Sequence, residues 1–171
     1  MLTNRNRLVV VAGSAAVGVW LSLSGSHTTG LLFLVASAIL GVGYFRYGPV
    51  WLAMRALGRG ETDTAASYLS SIADPQRLER QSRAYFELAS GFVPAERGHL
   101  TDAQQHLRKA LELPLRTPND RALAEVNLAR LLVGTANAEA GELLDRAAQR
   151  PTKPQVEAEV ARVRELLRAA V

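Results

Sequence analysis

The sequence predicts an all-α protein in two parts, a transmembrane helical hairpin followed by a short array of about three helix pairs and a closing helix. Two observations lead to this fold class. Residues 8–45 contain no Asp, Glu, Lys or Arg, and beyond them similar segments recur with a period near 37 residues. We therefore divide the 171 residues into a membrane anchor, residues 1–48, and a helical-repeat domain, residues 49–171.

The anchor contains two apolar runs, residues 8–23 and 31–45, separated by a short polar segment. A helix needs about 20 residues to cross the hydrocarbon core of a bilayer, and each run reaches this length with its flanks, as spans 6–24 and 28–47. A cleaved signal peptide is one alternative, but no Ala-x-Ala site follows the first run. A hairpin buried in a globular domain is another, but it needs more surrounding protein than the remaining chain supplies.

Flanking cations predict the orientation of this hairpin. Arginines precede the first span and follow the second, whereas the segment between the spans carries no Lys or Arg: Arg5, Arg7, Arg46, Arg55, Arg59. The positive-inside bias then places both termini and the repeat domain in the cytoplasm. Small residues one turn apart, Ser14 with Gly18 and Ser37 with Gly41, are expected to let the two spans pack closely.

The repeat domain is recognised by three kinds of marker that keep one period. Each unit has an Ala near the start of a helix, a Leu about one turn later and a closing Pro: Ala65, Ala103, Ala140; Leu69, Leu107, Leu144; Pro75, Pro114, Pro151. A preceding helix pairs with each of these helices, over residues 49–57 (continuous with the second span), 76–92 and 120–133. A last helix with an apolar stripe is expected to cover the final open face.

Capping patterns agree with this division. Asp74-Pro75 and Thr117-Pro118 each place an acceptor side chain before a proline suited to the first helical position. Thr101 with Gln104, and Thr152 with Gln155, fit the capping-box pattern.

These residues resemble the tetratricopeptide repeat (TPR) family over residues 49–171. The family's unit is a helix–turn–helix of 34 residues with small residues where its helices cross, and Ala129 with Ala140, and Gly91 with Ala103, resemble those positions. The longer period, and Pro94 near the turn of the second unit, depart from the family pattern, so a divergent repeat or a generic array of helical hairpins stays open. Two spans before such repeats also resemble, in layout only, a bacterial inner-membrane arrangement seen in proteins linked to haem biosynthesis. This layout implies a bacterial inner (plasma) membrane.

The sequence offers no catalytic constellation. No phosphate loop, nucleophile elbow, dinucleotide fingerprint or metal-ligand spacing occurs, and there are no cysteines. From Arg46 onward 18 basic and 16 acidic residues are well mixed, which argues against a phosphate-tracking nucleic-acid surface. We therefore expect neither an enzyme nor a cofactor or metal site.

A partner-binding surface is the remaining expectation. The resemblance implies that an Asn in a first helix clamps a peptide backbone, and Asn127, in an Asn-Leu-Ala context, matches that position. Arg130 follows one turn later and could pair with a carboxylate, while Tyr85 and Arg83 are candidates in the second unit. The alternative is that Asn127 bonds within the domain and Arg130 is a solvated charge.

Two functions follow as hypotheses. The first is a membrane-anchored TPR-like adaptor or scaffold that binds a protein or peptide partner through its repeat domain. The second is an accessory or assembly subunit of a larger membrane complex that associates through the hairpin. The sequence leaves the partner, the pathway and the oligomeric state open.

Overall fold

The structure, a computed structural model, describes Gly13 and residues 16–20, 22–25 and 27–170, with the backbone alone at His27 and residues 40–47. Much of the predicted first span, residues 6–24, lies outside this set. The chain divides into two compact units, Met1–Gly48 and Pro49–Val171.

The regular structure of the described residues is helical, which confirms the all-α part of the predicted fold class. The α-helices are α1 (His27–Leu57), α2 (Thr62–Ser70), α3 (Arg80–Glu96), α4 (Leu100–Glu112), α5 (Pro118–Leu132), α6 (Asn137–Ala148) and α7 (Pro154–Ala169), and a 3-10 helix occupies Pro75–Arg77. Residues 16–20 and 22–23 are also helical. Among the described residues, no helix combines the length and the apolar character that crossing a membrane requires.

In the first unit, two helical segments meet through glycine. A turn at Ser24 and Gly25 separates the short helical segment from α1, and Gly25 has a φ of 90°. A Cβ added at Gly30 would lie 2.7 Å from the carbonyl oxygen of Gly18, closer than side chains tolerate. Gly18 and Ser37 are both buried. Their predicted neighbours, Ser14 and Gly41, fall outside the residues whose surroundings are described.

The second unit is a row of helices in which neighbours along the chain pack together. α2 packs on α3, α3 on α4, α4 on α5, α5 on α6 and α6 on α7, and α5 also contacts α7. The buried residues are mostly Ala, Leu and Val. The six periodic markers of the second helices are all buried: Ala65, Ala103, Ala140, Leu69, Leu107, Leu144. The apolar pattern therefore marks the core side of α2, α4 and α6.

A third periodic feature appears in the turns within the helix pairs. Gly60, Gly98 and Gly134 follow α1, α3 and α5 and have φ values of 74°, 80° and 83°. Residues with a Cβ rarely adopt this left-handed backbone conformation, which explains why a glycine follows each first helix. Within the second pair, Gly91 allows α3 to approach α4, because a Cβ added there would lie 2.7 Å from Cγ of Leu107.

Two caps follow the sequence expectation and two do not. Thr117 caps α5 by accepting a hydrogen bond from the backbone N–H of Asp120 at 3.1 Å. Asp74 accepts from the backbone N–H of Gln76, but it caps the 3-10 helix, and α3 begins later at Arg80.

The two predicted capping boxes are wrong, because neither helix start uses a side-chain cap. α4 begins at Leu100, two residues earlier than a Thr101 cap requires, and Gln104 instead donates to the carbonyl oxygen of Leu131 on α5 at 3.0 Å. α7 begins at Pro154, and the backbone N–H of Lys153 before it donates to the side chain of Asn119 at 2.9 Å. In both places a group near the helix start bonds to α5 and no side chain caps the helix.

Candidate functional site

Three helices of the second unit border an open groove of about 290 Å³. The end of α1, the C-terminal half of α3 and the middle of α5 line it, through Met54, Leu57, Gly58, Phe92, Glu96, Leu123 and Asn127. These are the first helices of the three predicted pairs, so we name this cavity the first-helix groove. Its wall is mostly apolar, with one carboxylate and one amide.

Asn127 lies in the wall of the groove, half-buried. Its Nδ2 donates to the carbonyl oxygen of Leu123, one turn earlier on α5, at 2.8 Å. Its Oδ1 accepts a hydrogen bond from Nη2 of Arg130 at 3.1 Å. A carboxamide has two N–H groups and two acceptor lone pairs. One N–H and one lone pair therefore remain after these two bonds.

Arg130 is exposed and lies beside the groove without lining it. The structure thus brings the two principal predicted residues together as a hydrogen-bonded pair on α5. The guanidinium orients the amide, since it holds Oδ1 while Leu123 holds Nδ2.

The other two predicted residues, Tyr85 and Arg83, do not line the groove. The hydroxyl of Tyr85 donates to the carboxylate of Asp120 and accepts from the backbone N–H of Arg116 at 3.3 Å. Burial, and then the Asp120 carboxylate, raise the pKa of Tyr85 to about 12. Arg83 is half-buried, and its Nε has no hydrogen-bond partner among the described residues. Tyr85 fastens α3 to the start of α5.

Glu96 is a groove residue that the sequence reasoning did not identify. It lies at the end of α3 and its Oε2 accepts a hydrogen bond from the hydroxyl of Thr62. The sequence had predicted that the helix ends near residue 92, before Pro94. The structure carries α3 through Pro94 to Glu96, so this carboxylate reaches the groove. The sequence held one indication of this. Glu96 comes four positions after Phe92, so a helix that continued past Pro94 would place the two side chains on one face.

A second cavity, of about 280 Å³, is lined by the charged residues Arg108, Glu112, Arg121, Glu125, Glu139 and Arg146 together with three leucines. At its base Glu125 is only 2% exposed, and both of its oxygens are held by the guanidinium of Arg150 at 2.9 and 3.0 Å. The hydrogen bond to Glu125 raises the pKa of Arg150. Arg150, 25 positions away in sequence, pairs with this buried charge. The cluster therefore links α5 to the segment after α6.

The described residues contain no group of three or more His, Asp or Glu side chains placed to hold a metal ion. The chain matches no protein-family model, no curated protein and no solved structure.

Proposed function

We propose that this chain is a membrane-anchored, TPR-like adaptor that binds a segment of a partner protein in the first-helix groove. The observation that carries the proposal is the groove itself, in which apolar side chains from three helices stand beside a half-buried, oriented amide.

The composition of the groove suits a peptide. Met54, Leu57, Phe92 and Leu123 offer contacts for apolar side chains, whose burial is favourable by about 25 cal/mol per Å². The remaining N–H and lone pair of Asn127 can bond to one peptide unit of the partner, because a carboxamide both donates and accepts.

The TPR-like part of the proposal rests on periodic features. Buried Ala and Leu markers recur in α2, α4 and α6, and left-handed glycines recur in the turns before them. A stack of similar helix pairs presents its first helices on one face, which is the face that carries the groove.

The membrane part rests on how the first unit sorts its side chains. Large apolar residues point outward, with Trp20 at 66%, Leu32 at 65% and Ile39 at 66% exposure, whereas Gly18 and Ser37 are buried. Small residues inside and apolar residues outside suit a helix pair in lipid, where the surroundings are as apolar as leucine. Together with the uncharged residues 8–45, this supports a helical hairpin in lipid. We propose a bacterial inner membrane with both termini in the cytoplasm, the side on which the flanking arginines are expected. Anchoring would raise the effective concentration of the groove near membrane-bound partners.

The same exposed surface favours a second candidate function. A hairpin with this many outward apolar side chains could pack against helices of a larger membrane complex. The chain would then be an accessory or assembly subunit, with the hairpin as its main interface.

Gly58 provides the test, because it lines the groove and tolerates a side chain. A Cβ added there meets no atom closer than 3.6 Å, so Gly58→Trp fills the groove while the matched Gly58→Ala leaves it open. Full-length variants are crosslinked in native membranes and the captured proteins are identified. We expect Gly58→Ala to capture the same partner as the parent chain and Gly58→Trp to lose it.

The pair Asn127→Ala with Arg130→Ala should weaken the same capture, because it removes the oriented amide while helicity, followed by circular dichroism, is retained. Equal capture by Gly58→Trp and the parent chain would exclude the groove and favour the hairpin as the interface. Deleting residues 49–171 then separates the two functions, since an accessory subunit keeps its partner and an adaptor does not.

A further inference from the structure

The charge balance around the first-helix groove is uneven. Glu96 is the one ionisable side chain that lines the groove. Two neighbouring acids are neutralised, since Glu61 pairs with Arg59 at 2.6 Å and Asp63 pairs with Arg97 at 2.6 Å. Among the described residues no Lys, Arg or His lies within ion-pair distance of the Glu96 carboxylate.

The Glu96 carboxylate is oriented by one hydrogen bond and can accept others. The hydroxyl of Thr62, at the start of α2, donates to Oε2, whereas the described residues place no donor on Oε1. A carboxylate can accept further hydrogen bonds at both oxygens. A cationic group arriving in the groove therefore meets an oriented anion with free acceptor capacity.

The wall around this carboxylate restricts what else the partner carries. Phe92 lies one turn before Glu96 on α3, and Met54 and Leu57 lie across from it on α1. A cation that binds Glu96 therefore lies beside apolar side chains, which favours apolar residues next to it in the partner. Lys and Arg both suit such a place, because their aliphatic stems can cover apolar surface while the charged head stays at the rim.

The nearby arginines do not make the groove receptive to acids. Arg59 and Arg97 are each paired with an acid. Arg130 keeps its charge, since its hydrogen-bond acceptor is the neutral amide of Asn127, but Arg130 does not line the groove. An acidic partner residue would meet Glu96 as a like charge, which disfavours binding.

We infer that the first-helix groove selects a partner segment in which Lys or Arg lies next to large apolar residues, and that Glu96 binds the cation. This inference rests on the proposed function, because it names the chemistry of the segment bound in that groove.

The test uses the full chain in detergent and a displayed library of random peptides as the probe. Peptides selected by the parent chain should be enriched in Lys or Arg beside Leu, Ile, Met or Phe. For such a peptide, Glu96→Gln should weaken binding by roughly two- to fivefold, the range of an accessible ion pair. Glu96→Lys should weaken it further and should itself select peptides with Asp or Glu. Glu142→Lys, which changes an exposed Glu on α6 outside the groove, is the matched control and should select as the parent does.

The outcomes separate this inference from the proposed function. If selected peptides lose binding with Gly58→Trp but carry no excess of cations, or ignore both changes at Glu96, the groove binds peptides and the inference is wrong. If Gly58→Trp selects the same peptides as the parent chain, the groove is not the site and both proposals fail together.

Discussion

The two units of this protein differ in which side chains they bury and which they expose. In the second unit, leucines such as Leu107 and Leu144 are fully buried, and apart from Glu87 and Glu125 the charged residues are exposed or half-buried. In the described part of the first unit, Leu32 and Ile39 are about two-thirds exposed, while Gly18 and Ser37 are buried. Side chains are arranged to suit their surroundings. The difference is the one expected if, as we propose, the first unit lies in a membrane and the second in water.

The largest expected effect comes from replacing one Leu by Ala in each unit. Leu144→Ala removes a fully buried side chain from α6 and should lower the free energy of unfolding by roughly 2–5 kcal/mol. Leu32→Ala removes a side chain that is 65% exposed and should leave that free energy nearly unchanged. Both are measured by denaturant unfolding of the full chain in detergent, followed by circular dichroism. A change near zero for Leu144→Ala would mean that α6 packs with another face.

The position of Leu144 in the core could be predicted because its signal is local and periodic. Ala and Leu recur at helical spacing within each unit and at a period near 37 between units, and burial of one face follows from that pattern. The same reasoning located α5, whose cap, Thr117, and first residue, Pro118, are adjacent in sequence.

Interactions between distant residues could not be predicted in this way. Glu125 and Arg150 are 25 positions apart and look like solvated charges in the sequence, yet Glu125 is buried and bound on both oxygens. Asn127 was identified from its Asn-Leu-Ala context, and Arg130 because it follows one turn later on the same helix. Glu96 was missed because Pro94 suggested an earlier helix end, although a proline near the C-terminus of a helix disrupts only the last turns.

A smaller effect is expected from placing a Lys at one exposed apolar position in each unit. Ile39→Lys places a cation in the middle of the second apolar run, on a side chain that is 66% exposed. If that surface faces lipid, insertion should become less favourable by about 2.5–3.5 kcal/mol. Leu166→Lys on α7, where the side chain is 47% exposed, should have almost no effect because that surface faces water.

The measurement is the fraction of each variant that stays with membranes after an alkaline wash. We expect a loss for Ile39→Lys and parent-like retention for Leu166→Lys. Equal retention of both variants would contradict a lipid-facing first unit, and the exposed apolar residues there would need a protein partner to cover them.

The smallest expected effect concerns the one tyrosine that links two helix pairs. The pKa of Tyr85 is raised to about 12, first by burial and then by the Asp120 carboxylate, which accepts a hydrogen bond from its hydroxyl. A phenol with a folded pKa above its ordinary value of about 10 favours folding while it is protonated. This contribution is fully present below pH of about 10, and it is lost as the pH rises toward 12. The free energy of unfolding of the parent chain should therefore fall over that interval by more than that of Tyr85→Phe, which has no proton to lose. Spectrophotometric titration of the phenols should show one fewer tyrosine ionising near pH 12 in Tyr85→Phe than in the parent chain. If the parent and Tyr85→Phe titrate alike near pH 12, the hydrogen bond between α3 and α5 through Asp120 is absent in solution.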